Sequence, residues 1–74
     1  MSELTKLTTA RRVDRRRWVC VLADDGGVFW VGMLVDGEFH ARDQYGTGAA
    51  GEHAAVVAAR IWADGIVRDK EWTR

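Results

Sequence analysis

Glu38, His40 and Arg42 occupy alternate positions of EFHARDQY, so on a strand they project from one face. An acid, an imidazole and a guanidinium side by side are the raw material of proton transfer. No nucleophile or second base stands at a spacing that would join them, and a small sheet leaves little room for an enclosed pocket. No catalytic residue, and no enzyme, is expected. Cys20 is the single cysteine and sits in the apolar run VCVLA, which reads as a small core filler rather than a nucleophile. A disulfide within the chain is thereby excluded. The two imidazoles, His40 and His53, lie thirteen positions apart with no second thiol to complete a zinc set. Asp24-Asp25 lack the ligand spacing of a calcium loop. No metal and no cofactor are expected, and His53 reads as a surface residue.

GTGAAG, residues 46–51, is a literal G-x-G-x-x-G between a strand-like run and a helix-like run, EHAAVVAARIWAD. A dinucleotide turn needs a parallel βαβ unit, with a second strand beyond the helix. The runs before GTGAAG are joined by tight turns and are therefore antiparallel. Only residues 66–74 follow Gly65. In a chain with eight glycines the spacing carries little information. The motif reads as a turn feeding a helix start.

ARRVDRRRW places five arginines within seven positions, next to a tryptophan. Residues 1–17 carry six basic side chains against two acidic ones, a net of +4, and residues 18–74 carry the compensating −4. Arg15, Arg16 and Arg17 suit phosphates or an acidic protein surface, and Trp18 can stack on a base. No apolar stretch approaches a membrane span and no signal-peptide core is seen, so a cytoplasmic location and no membrane partner are expected.

The elements that must position these residues form one domain over residues 1–74: a basic arm (1–17), a β-meander (18–45), a helix (48–64) and a tail (65–74). Ser2 suits the cap of a short N-terminal helix with Leu4 and Leu7 on one side. WVCVLA (Trp18–Ala23) and VFWVGMLV (Val28–Val35) read as strands apolar on both alternations. Glu38–Tyr45 reads as a third strand. Asp36-Gly37 is a strong signal for a two-residue type I′ hairpin. It sets Val35 opposite Glu38, Leu34 opposite Phe39 and Gly32 opposite Ala41. A four-residue turn, Asp24–Gly27, sets Ala23 opposite Val28 and Val21 opposite Trp30. One face then carries Val19, Val21, Val28, Trp30, Leu34, Phe39 and Ala41. The other carries Trp18, Cys20, Leu22, Phe29, Val31, Met33 and Val35, edged by His40 and Arg42. A slip of one residue at either turn exchanges the sets, yet both faces stay apolar. In the helix, Ala50, Ala54, Val57, Ala58 and Ile61 form an apolar stripe widened by Ala55, Ala59 and Trp62, opposite His53, Arg60 and Asp64. Gly65 reads as the residue that ends it. The fold class is α+β: a three-stranded antiparallel sheet packed on one C-terminal helix.

The order α-β-β-β-α, with FWVGMLVDGEF, then GTG, then an alanine-rich helix, resembles the double-stranded RNA-binding domain over residues 18–64. That resemblance implies phosphate contacts at the start of the last helix, where the family carries a lysine cluster. The matching stretch, Gly48-Ala49-Ala50-Gly51-Glu52-His53, has no lysine and carries an acid instead. Nucleic-acid binding would then rest on the N-terminal arginines. In size and composition the chain is similar to small inhibitors of phages and mobile elements, anti-CRISPR proteins among them.

One helix covers one sheet face, and the other face is too apolar to stand in water without a role. The chain therefore reads first as a protein-binding module, on a target protein or as a homodimer, that acts by occlusion. Its expected contact residues are Arg15, Arg16, Arg17, Trp18, Phe29, Val31 and Met33, with His40 and Arg42 at the rim. Nucleic-acid binding is the alternative.

Overall fold

The structure is a computed structural model that describes the backbone of residues 4–72 and the side chains of residues 6–69. Four strands run in chain order: β1 (Leu4–Arg12), β2 (Arg17–Asp24), β3 (Phe29–Val35) and β4 (Glu38–Tyr45). They form one antiparallel meander in the order β1-β2-β3-β4, and α1 (Gly48–Trp72) follows. The α+β class and the C-terminal helix agree with the sequence, but the sheet has four strands rather than three.

The extra strand is the arm that was expected to be helical. It is rich in threonine, whose branched side chain suits a pleated surface. Its Leu4, Leu7 and Ala10 pair with Asp24, Leu22 and Cys20, which are successive positions on one face of β2. Register shifts between Leu4 and Lys6, and between Leu7 and Thr9, each add one residue to β1. Two bulges thus turn the two-residue period of a strand into a three-residue period that imitates a helix. The cap expected at Ser2 lies outside the described residues.

The Asp36-Gly37 turn forms as expected. Both central residues have positive φ, 51° and 84°, and the predicted pairs Val35–Glu38, Leu34–Phe39 and Gly32–Ala41 are present. Beyond Ala41 a bulge at Arg42 sets Asp43 opposite Val31.

The other turn differs, and the difference exchanges the two faces. Asp24 N–H donates to the Val28 carbonyl at 2.9 Å, so the loop holds three residues, Asp25-Gly26-Gly27. Gly27, at φ 82°, supplies the left-handed residue that closes such a loop. The Asp24 carboxylate holds the turn by accepting the Gly26 and Val28 N–H groups at 2.9 and 3.0 Å. Ala23 therefore faces Phe29, Val21 faces Val31 and Val19 faces Met33. Strands β2 and β3 slip by one residue relative to the four-residue reading.

Helix α1 packs on the face that carries Val19, Val21, Ala23, Phe29 and Val31. Its buried stripe is Ala55, Ala59 and Ala63, with Trp62, Ile66 and Val67 packed beside them. The expected stripe is wrong by one residue, about 100° around the helix. Ile61 is 68% exposed, and Ala50, Ala54 and Val57 also face outward. The reason lies at the helix start. A Cβ on Gly51 would stand 1.9 Å from the Gly46 carbonyl oxygen, so the first turn sits directly on the chain that precedes it. That seat fixes the roll of a helix whose alanines are too numerous to fix it themselves. Gly65 does not end the helix. It lacks the left-handed conformation of a terminating glycine, and Ile66 and Val67 beyond it still have core to cover. An ion pair between Arg11 of β1 and Asp64 of α1 fastens the far end.

The core is shallow. The largest fully buried side chains are the valines Val19, Val21 and Val31. Each stabilises the fold by roughly 1.5–2 kcal/mol through burial.

Candidate functional site

The sheet face opposite α1 is covered by no described element. Cross-strand partners share a face, so register alone lists its occupants. Pairs Trp18–Leu34, Cys20–Gly32 and Leu22–Trp30 lie on it. Leu34–Phe39 and Gly32–Ala41 extend it onto β4, and Leu7–Leu22 and Ala10–Cys20 onto β1. Trp18 is 39% exposed and Leu7 59%. Leu22, Trp30, Leu34 and Phe39 are half-buried. Phe39 lies over Gly32, since a Cβ there would come within 2.6 Å of its ring. The ring fills the gap the glycine leaves, so the middle of the face is smooth. Among the described residues, register puts only two charged side chains on this face, Arg12 and Asp24. Asp24 is buried, and its second carboxylate oxygen accepts the Trp30 indole N–H at 3.0 Å. These hydrogen bonds, the indole's first, hold its carboxyl below the usual carboxylate range.

At the end of this face, the β1–β2 turn and the Asp36-Gly37 turn frame an open depression of about 880 Å³. It is lined by Arg12, Val13, Asp14, Arg15, Arg16, Arg17, Val35 and Asp36. The arginines there are largely engaged. Asp14 accepts the backbone N–H groups of Arg16 and Arg17 at 2.9 and 2.8 Å, and the Arg17 guanidinium as well. These bonds lower its pKa from 3.8 to about 2. Arg16 forms a two-pronged pair with Asp36 and is raised by it. Arg16 O accepts the Asp36 N–H at 3.2 Å, which ties the two turns together. Arg12 Nε donates to the Asp14 carbonyl at 3.0 Å. The run that looked like a free cationic arm is a turn held by Asp14 and by Asp36 of the neighbouring turn, with Arg15 exposed.

The residues singled out in the sequence divide accordingly. Arg15, Arg16, Arg17 and Trp18 gather at one end of the sheet, with Trp18 on the open face and Arg17 on the side of Val19. Phe29 and Val31 lie under α1, and Met33 packs against the same core, so none of the three belongs to the open face. His40 pairs with Met33 and is exposed on the helix side. Arg42, at the β4 bulge, stacks on the Trp62 ring 4.4 Å from its centroid. Glu38, His40 and Arg42 all lie on the helix side, but Arg42 is taken up by the Trp62 ring and, among the described residues, no hydrogen bond or ion pair joins the three. Cys20 is buried, and burial pushes its thiol pKa up. Sequence reading put Trp30, Leu34 and Phe39 on the face opposite Trp18, whereas they share its face. The signal that places them correctly is the Asp24-Asp25-Gly26-Gly27 run, read as a three-residue loop closed by a left-handed glycine.

GTGAAG is structural. Gly48 has φ 73° at the helix start and Gly51 provides the close approach to Gly46. Among the described residues no group of three metal-ligating side chains comes together, and no helix is long and apolar enough to cross a membrane. Compared with protein-family models, with curated proteins and with solved structures, the chain matches none.

Proposed function

We propose that this protein is a non-enzymatic docking module that covers a protein surface with its open sheet face. The observation that carries the proposal is the smooth apolar face of Trp18, Leu22, Trp30, Leu34 and Phe39, which carries almost no charge. A strand with one solvated face alternates apolar-in with polar-out, and β2 and β3 are apolar on both sides instead. Large aromatic side chains supply most of the binding energy at protein interfaces. Arg15, exposed in the turn that leads into Trp18, adds a cation at the border of this face that favours an acidic group on the partner. Occlusion of a target surface agrees with the likeness in size and composition to small phage-type inhibitors.

The alternative is nucleic-acid binding through the arginine turn. Asp14, Asp36 and Asp64 already engage Arg17, Arg16 and Arg11, which weakens the turn as a phosphate grip. Affinity capture with the wild-type chain and with Trp18→Glu separates the two. Docking predicts a captured protein that Trp18→Glu loses and that Arg15→Ala retains in weakened form. Capture unaffected by Trp18→Glu would sink the proposal. So would duplex binding at low salt that disappears when Arg15, Arg16 and Arg17 become alanine.

A further inference from the structure

We infer that the occupant of the open face is a second copy of this chain, stacked face to face about a two-fold axis. The inference rests on the reading of that face as a docking surface. Charge is the first reason. A face that meets its own copy about a two-fold axis brings charges near that axis against their duplicates, which selects against charged residues in its middle. Among the described residues, register puts only Arg12 and Asp24 as charged side chains on the face; Arg12 Nε donates to the Asp14 carbonyl and Asp24 accepts the Trp30 indole N–H.

The edges give the second reason. A sheet can also associate edge to edge, but both edges here are blunted. Strand β1 carries two bulges and exposes Lys6, Arg11 and Arg12. Strand β4 carries the bulge at Arg42 and exposes Glu38, His40 and Asp43. Between edges and face, the face is the apolar route left open to the sheet; on the outer side of α1 only Val57 and Ile61 are exposed large apolar side chains among the described residues.

Size is the third. Four strands at ~4.8 Å spacing and about seven residues at ~3.4 Å give a plane of roughly 450 Å². Standing side chains raise this to about 600 Å² of accessible surface per copy, or about 1,200 Å² for a pair, the lower bound of specific interfaces. That is close to one tenth of the 5208 Å² surface, the usual share for a small protein. Stacking would also give the thin Val–Ala core a second apolar layer on the far side of the sheet.

Sedimentation equilibrium tests the inference over a range from low micromolar to about millimolar chain. The expected result is a doubling of mass with a dissociation constant on the order of micromolar, as suits an interface of this size. Each substitution enters a two-fold interface twice. Trp18→Lys should therefore weaken association ~100-fold or more. Leu7→Lys is a second variant, since that side chain is already exposed and its loss should not unfold the chain. Both should keep the wild-type far-ultraviolet spectrum. A single-chain mass at every concentration overturns the inference, and so does a dimer that survives both substitutions in folded variants. The docking proposal has its own readout. If the chain is monomeric but captures a protein that Trp18→Glu loses, the second copy is refuted and docking stands. If capture also fails, both fall.

Discussion

The Trp30 indole N–H donates to the Asp24 carboxylate at 3.0 Å, and this bond fastens an aromatic of the open face to the turn that sets the β2–β3 register. The other Asp24 oxygen accepts two backbone N–H groups of the same turn. One side chain thus decides which residues lie under α1 and which lie open. Asp24→Ala should lower the melting temperature by several degrees and Asp24→Asn by less, because an amide oxygen can still accept the turn N–H groups. Trp30→Phe should cost about 1 kcal/mol for the lost hydrogen bond. Calorimetry on the three variants checks the order. Equal effects for Asp24→Ala and Asp24→Asn would show that the turn does not depend on an acceptor at position 24.

Acid should weaken the fold at two turns, through Asp14 and Asp24. The hydrogen bonds from Arg16 and Arg17 hold Asp14 near 2 against an ordinary value of 3.8, and Asp24 is lowered as well. A group whose pKa is lower in the folded state contributes stability above its unfolded pKa and loses it as pH falls through its folded pKa. The contribution is therefore complete above about pH 5 and declines between about pH 4 and pH 2. Urea unfolding across that range should show the decline, and Asp14→Asn should flatten it. An unchanged slope in Asp14→Asn would place the acid sensitivity elsewhere.

Two glycines of α1 should respond to alanine with opposite signs. Gly51 has no room for a Cβ, which would stand 1.9 Å from the Gly46 carbonyl oxygen. Gly51→Ala must shift the helix start and should cost about 3 kcal/mol. Gly65 lies exposed within the helix, with nothing within 4 Å of an added Cβ. Gly65→Ala should stabilise by about 1 kcal/mol through helix propensity. Denaturant midpoints of the two variants decide the matter. A loss at Gly65 would mean that the helix ends there.

The roll of α1 can be read from another pair. Ala59 is 4% exposed and Ile61 is 68% exposed. Ala59→Leu overfills the contact with the sheet and should cost about 2 kcal/mol. Ile61→Gln should stay within about 0.5 kcal/mol of wild type. The stripe suggested by sequence periodicity predicts a larger loss at Ile61 than the structure does.

Local chemistry by itself determined several parts of this protein. The Asp36-Gly37 turn and its register were legible because two positive-φ residues in succession admit almost one solution. The start of the helix at Gly48, the three strands of the meander and the apolar character of both sheet faces were legible for the same kind of reason. Each depends on residues close in sequence. The buried position of Cys20 and the turn role of GTGAAG were also read from residue types and spacing.

Tertiary structure decided the rest. Leu4, Leu7 and Ala10 carry a three-residue spacing that fits a helix or a twice-bulged strand, and only pairing with β2 selects the strand. The alanine-rich helix has too broad an apolar arc to fix its own roll, and the seat of Gly51 on Gly46 fixes it. Five arginines within seven positions imply a free cationic arm until Asp14, Asp36 and Asp64 are found paired with three of them. Above all, the candidate docking face depended on one residue of register. A strand has a period of two, so the choice between a three- and a four-residue loop at Asp24 moves every side chain of a neighbouring strand to the other face. Sequence pattern showed that one apolar face would remain uncovered. The loop, the Asp24 hydrogen bonds and the helix above them determined which one.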